Sequence, residues 1–177
     1  MPASLKRSTF ITLLTKSMKK DININYEHFK SSSELNDIEK KLFDKAKTAR
    51  EKAYAPYSNF LVGCAILLDN GQIFTGNNQE NAAFPSGLCA ERAAIFWIGA
   101  NFPDQKINKI FIIGGPREFS ENTPPIPPCG ACRQSLMEYE TKQNENIDVY
   151  FSNLNEEVFK VNSIKDLLPF YFDSTFL

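Results

Sequence analysis

Histidine is nearly absent from this sequence. His28 is the only one among 177 residues, beside a single Trp. That leaves little room for histidine-based catalysis, so either the chain is not a hydrolytic enzyme or its chemistry rests on other groups. A charge excess is missing too: 20 Lys+Arg face 21 Asp+Glu, a formal net charge of −1. Domains that hold polyanions mainly through phosphate contacts carry a clear basic excess, so that class is disfavoured. No uncharged apolar run reaches the roughly 18 residues of a membrane span. Cysteine is sparse, with four residues (Cys64, Cys89, Cys129 and Cys132), too few for a disulfide-stapled secreted scaffold. Met1–Lys20 also lacks the apolar core of a secretion signal, being broken by Lys6, Arg7, Lys16, Lys19 and Lys20. A reducing compartment, the cytoplasm, is the expected setting. There a Cys-x-x-Cys pair reads as metal-binding or redox-active before it reads as a staple.

What is present is an ordinary globular composition, 42% hydrophobic and 23% charged, of a length that suits one domain with an appendage. Residues 1–32 stand apart as a basic extension. Its first 20 residues mix Ser and Thr with five basic residues and no acidic one, and Phe10, Leu13 and Leu14 fall at helical spacing. Two readings fit: a solvated extension, or a mitochondrial-type presequence. From residue 33 onward the chain reads as a folded domain reaching 177. The spacing predicts a helix from about Ser33 to Ala53, ended by Ala55-Pro56-Tyr57-Ser58. Phe60–Leu68 and Gln72–Gly76 flank the turn Asp69-Asn70-Gly71 as a hairpin. A helix over Cys89–Gly99, a strand over Lys109–Gly114, a Pro-rich loop over Pro116–Pro128, a helix over Cys129–Glu140, a strand over Asp148–Asn153 and a short helix over Ile164–Leu168 complete the order. This is an α/β domain with a mixed sheet and helices on both faces.

Chemistry concentrates in Cys89-Ala90-Glu91 and Pro128-Cys129-Gly130-Ala131-Cys132. Each cluster opens a predicted helix, where the dipole and free N–H groups favour a thiolate. Cys129 and Cys132 are three apart and can share one ion, and Cys89 supplies a third ligand. Three protein ligands leave the fourth tetrahedral position to water, the open arrangement of a catalytic zinc. Glu91 sits close enough to move that water's protons without having to ligate. Three other readings remain: a structural zinc with Cys64 as fourth ligand, a redox pair at Cys129 and Cys132, and a chance grouping of buried thiols. Cys64 lies within the apolar run Leu61–Leu68, where a free Cys acts as a small core residue, and a redox pair leaves Cys89 and Glu91 without a purpose.

The pattern resembles the zinc deaminase signature H-x-E…P-C-x-x-C, here with Cys in the first position. The chain is similar to cytidine deaminases of the small homotetrameric class, which use three cysteines. The resemblance runs from about Ser33 to Phe172. It rests also on Ala55-Pro56-Tyr57-Ser58-Asn59-Phe60-Leu61-Val62-Gly63, Gly76-Asn77-Asn78-Gln79-Glu80-Asn81-Ala82, Cys89-Ala90-Glu91-Arg92, Arg133-Gln134 and Leu167-Leu168-Pro169. It implies a three-layer α/β/α sandwich with a mixed five-stranded sheet, one Zn²⁺ per subunit held by Cys89, Cys129 and Cys132, and Glu91 as proton shuttle. It implies that Asn78 and Glu80 bind the ribose, Glu80 at the 3′-hydroxyl, that Phe60 lines the base pocket, and that the Ala90 N–H meets the base carbonyl. Phe172, or neighbouring Phe170, would pack over the base in another subunit's site, and Phe84 would touch a neighbour. Taken one at a time, Glu80, Asn78, Phe60 and Phe172 read more often as a solvated carboxylate, a turn residue and plain aromatics; their surroundings tip the balance. His28 falls outside the matched stretch and is expected to be dispensable.

The implied reaction is hydrolytic deamination of cytidine, and of deoxycytidine, in pyrimidine salvage. Zinc lowers the pKa of bound water toward about 7, and the zinc-bound hydroxide attacks C4 while Glu91 moves protons to N3 and to the departing amine. Three thiolates and Zn²⁺ sum to −1, which weakens the metal as a Lewis acid. Arg92 is therefore expected to donate to Cys89 or Cys132 and offset that charge; its other reading is a surface helix Arg. Rival functions are a deaminase of another base, a polynucleotide editor and a zinc module used for assembly. The Asn78–Glu80 pair, the near-zero net charge and Glu91 respectively speak against them. No nucleic-acid or membrane partner is expected.

Overall fold

The computed structural model describes residues 17–118 and 123–177. The basic amphipathic stretch with Phe10, Leu13 and Leu14 lies outside the described residues, as do 119–122 of the Pro-rich loop. Among the described residues no helix is long and apolar enough to cross a membrane.

Among the described residues six strands and three α-helices make up the domain: β1 (Glu27–Phe29), α1 (Asp37–Arg50), β2 (Phe60–Leu68), β3 (Ile73–Asn77), α2 (Ala90–Asn101), β4 (Ile107–Pro116), α3 (Gly130–Gln143), β5 (Asp148–Ser152) and β6 (Val158–Val161). The sheet order is β1-β6-β5-β4-β2-β3. Only the β4–β5 pair is parallel, with α3 as its crossover. β2 is apolar along its whole length because both faces are covered. On one face α1 sets Leu42, Phe43 and Ala46 against Ala65, Leu67, Phe111, Ile113 and Tyr150. On the other, Ala94, Ile95 and Ile98 of α2 and Leu136 and Met137 of α3 pack on Cys64, Ile66, Ile110, Ile112 and Val149. The three-layer α/β/α arrangement is the expected one.

The expected five strands become six. Residues 27–29 carry charge rather than an apolar alternation, so nothing local marks them as a strand. They lie in the stretch read as an extension, and they pair antiparallel with β6. Side chains across the register fasten them: Glu27 to Lys160 at 2.7 Å, and His28 Nε2 to Glu157 at 2.7 Å with its ring edge-on to Phe159. β6 itself, four residues with only Val158 and Val161 buried, is also too short to announce itself.

The first helix starts at Asp37 rather than Ser33. Asn36 accepts from the Glu39 N–H at 3.1 Å, and Glu39 accepts from the Asn36 N–H at 3.2 Å; this capping box outcompetes the upstream serines, which form a single 3-10 turn over Ser32–Glu34. Ile164–Asp166 is likewise one 3-10 turn in place of a short α-helix. β4 runs longer than expected because it pairs with all of β2, from Phe60↔Pro116 to Leu68↔Ile107.

Two glycines set how closely the layers approach. A Cβ on Gly63 would lie 2.0 Å from the Ala46 carbonyl, so α1 rests directly on β2. A Cβ on Gly76 would lie 2.4 Å from the Ala90 carbonyl, so the first turn of α2 rests on β3. The second contact brings the start of α2 beside the loop that follows β3.

Candidate active site

Two helix N-termini converge here. Cys89 is the N-cap of α2 and Cys129 the N-cap of α3, both in extended backbone conformation, and neither side chain caps its own helix. Their sulfurs are therefore available to something else. Cys132 is the third residue of α3 and is fully buried. The three sulfurs lie within 4.8 Å of one another, and Cys89 Sγ is 3.8 Å from Cys129 Sγ. A tetrahedral ion with bonds of about 2.3 Å sets its sulfur ligands about 3.8 Å apart, so the trio fits zinc. Cys64 is not part of the group among the described residues; it is fully buried in the core, and burial pushes its thiol well above the usual range.

The electrostatics of the trio are coupled. The Cys132 thiol, hydrogen-bonded to Cys89, together with Arg92 and Cys129, brings the Cys89 thiol down to about 5 against the opposing effect of burial. Cys132 moves the other way, because the Cys89 thiolate and burial hold its proton on. Arg92 Nη2 donates to Cys89 Sγ at 3.7 Å, the contact expected of it, and its Nε is buried without a partner among the described residues. Glu91 is only 4% exposed. Burial raises its carboxyl pKa, and the Cys89 charge raises it further, with the Cys132 thiol and Arg92 pulling down.

A cleft of about 470 Å³ opens beside the cysteines, lined by Cys89 and Arg92 of α2, Asn78 and Glu80 of the loop after β3, and Tyr57, Ser58 and Phe84. That size suits a small organic molecule. Glu80 is held by three donors: the N–H groups of Tyr57 at 3.0 Å and Ser58 at 3.3 Å on Oε2, and the Ser58 hydroxyl on Oε1. The hydroxyl bond first, then the backbone ones, keep its carboxyl below the ordinary range. Asn78 is already engaged: its Oδ1 accepts from the Val62 N–H at 2.8 Å and its Nδ2 donates to the Phe60 carbonyl at 2.9 Å. Each of those atoms keeps one further hydrogen-bonding position.

Phe60, Ala90, Phe170 and Phe172 are not among the residues that line the cleft. Phe60 is the half-buried first residue of β2, and Ala90 the fully buried first residue of α2. Phe172 is 56% exposed, stacks on Phe176 and is anchored through its carbonyl to Gln134 Nε2 at 2.8 Å; Phe170 is exposed too. Neither lines this chain's own cleft. Phe84 stands exposed on the rim, edge-on to Tyr57. Ser58 and Tyr57 had no role in the sequence reading. Only their place in the Ala55–Gly63 stretch marked them, because the β2–β3 hairpin has to close before they meet Glu80.

The model for the cytidine and deoxycytidylate deaminase zinc-binding region matches residues 36–144. The chain belongs to this deaminase family. The cytidine deaminase of Sporosarcina psychrophila is 37% identical over 139 residues, 75% of this chain and 89% of the relative. That of Halalkalibacterium halodurans is 35% identical over 128 residues, 72% of this chain and 89% of the relative. A crystal structure of the cytidine deaminase from Burkholderia pseudomallei superimposes with a TM-score of 0.64 at 41% identity, covering 75% of this chain and 97% of that one. The deaminase is therefore an enzyme, its family domain is zinc-binding, and its Cys89, Cys129 and Cys132 form a cluster that can hold the metal.

Proposed function

We infer that the chain hydrolyses the amine from C4 of cytidine and deoxycytidine, releasing ammonia and the uracil nucleoside, as a step of pyrimidine salvage. One observation carries this reading: a buried carboxyl, Glu91, stands in the first turn of α2, whose N-cap residue is Cys89 of the zinc-sized trio, and a nucleoside-sized cleft lined by Cys89 opens there. Cys89, Cys129 and Cys132 hold the metal. Zinc, when bound, supplies the Lewis acidity that makes water nucleophilic near neutral pH. Glu91 takes a proton from the attacking water and gives it to N3, then takes the second proton from the hydroxyl now on C4 and passes it to the amine, which leaves as ammonia as the C4–N bond breaks and the C4 carbonyl forms. The Ala90 N–H receives the base carbonyl at the helix start, where N–H groups have no intrahelical partner. Asn78, through its spare donor and acceptor, and Glu80, at the 3′-hydroxyl, hold the sugar. Phe60 lies against the base. Arg92 supplies positive charge to Cys89, offsetting the net charge of a three-thiolate site.

Phe172 is placed in a neighbouring subunit's site, in a homotetramer with Phe84 at the contact. The exposure of both rings, and the absence of Phe172 from the lining of this chain's own cleft, support that assembly. Residues 33–177 are the catalytic domain and 1–32 its extension, of which Glu27–Phe29 pairs with β6. Four free cysteines suit the cytoplasm.

The test is to mix zinc-loaded protein with cytidine and follow the ultraviolet change to uridine. Conversion by the wild type and a fall of several orders of magnitude in Glu91→Gln, with zinc retained, is the expected result. No conversion by a zinc-replete wild type refutes the activity, and near-normal turnover in the variant removes Glu91 from the mechanism.

A further inference from the structure

Glu80 does not hold its position alone. The loop from Tyr54 to Phe60 and the segment Asn78–Glu80 are zipped by backbone bonds, with the Tyr54 N–H on the Asn78 carbonyl at 3.0 Å and the Glu80 N–H on the Tyr54 carbonyl at 2.9 Å. Asn59, at φ 53°, turns the loop into β2, and its carbonyl accepts from the Arg117 N–H at 2.7 Å. Three backbone bonds therefore hold the main chain of the loop, and the Ser58 side chain adds one more to it. Within this frame Ser58 has two partners. Its Oγ accepts from the Phe60 N–H at 3.0 Å and donates to Glu80 Oε1.

A hydroxyl has one hydrogen, and the Phe60 N–H occupies the acceptor side, so the hydrogen is committed to the carboxylate. Oε2 is saturated by the Tyr57 and Ser58 N–H groups. One acceptor position remains on Glu80, on the oxygen that Ser58 holds. The carboxylate is thereby kept in one orientation, with no proton to give and one lone pair for an incoming hydroxyl. An unclamped Glu would lose side-chain freedom on meeting a ligand, and holding it beforehand removes that cost.

We propose that Ser58 is a positioning residue that presents Glu80 to a sugar hydroxyl and so sets discrimination between a 3′-hydroxyl and a 3′-deoxy sugar. This rests on the reading above in which Glu80 meets the 3′-hydroxyl of the nucleoside. Ser58 touches neither the base nor the metal ligands; it acts through Glu80.

Steady-state kinetics of the zinc-loaded enzyme on cytidine and on 3′-deoxycytidine test it, with wild type, Ser58→Ala, Ser58→Thr and Glu80→Gln. Ser58 is exposed and the loop is held by its backbone, so the alanine variant is expected to fold. Ser58→Ala is expected to raise KM for cytidine about tenfold, the loss of one hydrogen bond to a charged group, with kcat within about twofold. Its KM for 3′-deoxycytidine stays at the wild-type value, so discrimination shrinks by the same factor. Ser58→Thr, which keeps the hydroxyl, restores the wild-type KM. If Glu80→Gln weakens cytidine binding and discrimination while Ser58→Ala matches wild type, the role of Ser58 is refuted and that of Glu80 stands. If Glu80→Gln leaves both unchanged, the Glu80 reading fails and the inference with it. Equal loss on both substrates in Ser58→Ala, or a threonine variant as impaired as the alanine, assigns Ser58 a merely structural part and overturns the proposal.

Discussion

Replacing Gly76 by Ala should damage the metal site without touching any residue of it. The new Cβ would stand 2.4 Å from the Ala90 carbonyl and 2.9 Å from the Ala94 backbone N, both atoms of the α2 main chain. No rotamer change relieves a clash with backbone. Ordinary contact begins near 3.4 Å, so the first turn of α2 must retreat from β3 by about 1 Å. Cys89 immediately precedes that turn and moves with it, whereas Cys129 and Cys132 ride on α3. The sulfur trio tolerates only about 0.2 Å in ligand distance, so a displacement of this size opens the site. The overpacking should cost about 1–3 kcal/mol of global stability. A misplacement near 1 Å at reacting groups costs roughly 100-fold in rate. Denaturant titration, zinc stoichiometry after dialysis, and kcat/KM on cytidine measure the three effects. Gly71→Ala is the control. Gly71 sits at φ 82° in the β2–β3 turn with open space around it, so Ala there is strained but does not press on α2. It should lose stability and keep kcat/KM and zinc. A Gly76→Ala enzyme with wild-type kcat/KM and full zinc would refute the claim that this glycine sets the position of Cys89.

Two further substitutions probe the groups around the site. Arg92→Gln should retain zinc and lose about 10–100-fold in kcat, the usual cost of removing a partner of a metal ligand; unchanged kcat with zinc bound rules out charge compensation at Cys89. Asn78→Ala removes two bonds to the β2 backbone, worth about 1–3 kcal/mol together, and should lower the denaturation midpoint as well as raise KM. An unshifted midpoint would show that those two bonds carry no stability.

Much of the fold was legible because its signals are local. The apolar run Phe60–Leu68, the Asp-Asn-Gly turn and the cysteines beside helix starts need only neighbours in the chain to be read. The start of α1 was misplaced by a few residues because two N-cap candidates compete, and the reciprocal Asn36–Glu39 bonds settle the choice. β1 and β6 were illegible because strands of three and four residues take their stability from the partner edge. The Ser58–Glu80 clamp was hidden for a related reason. Its members are 22 positions apart and meet only through the hairpin register, Gly63 opposite Asn77.

By itself the sequence determined the donor chemistry: three thiols, a carboxyl two residues after the first of them, and a single histidine, His28, far along the chain from both motifs. Residue type and short spacing decide such things, since helix geometry places Cys129 and Cys132 together whatever surrounds them. The sequence named Cys89 as the third ligand, and only the tertiary structure shows how it reaches the other two: α2 is seated on Gly76, with its Gly99 against Tyr139 of α3. The tertiary structure also decided that Asn78 serves the β2 backbone before any ligand, and that Phe172 lies away from its own cleft. Contacts between distant segments follow from how layers pack, and packing depends on surfaces that a linear pattern does not display.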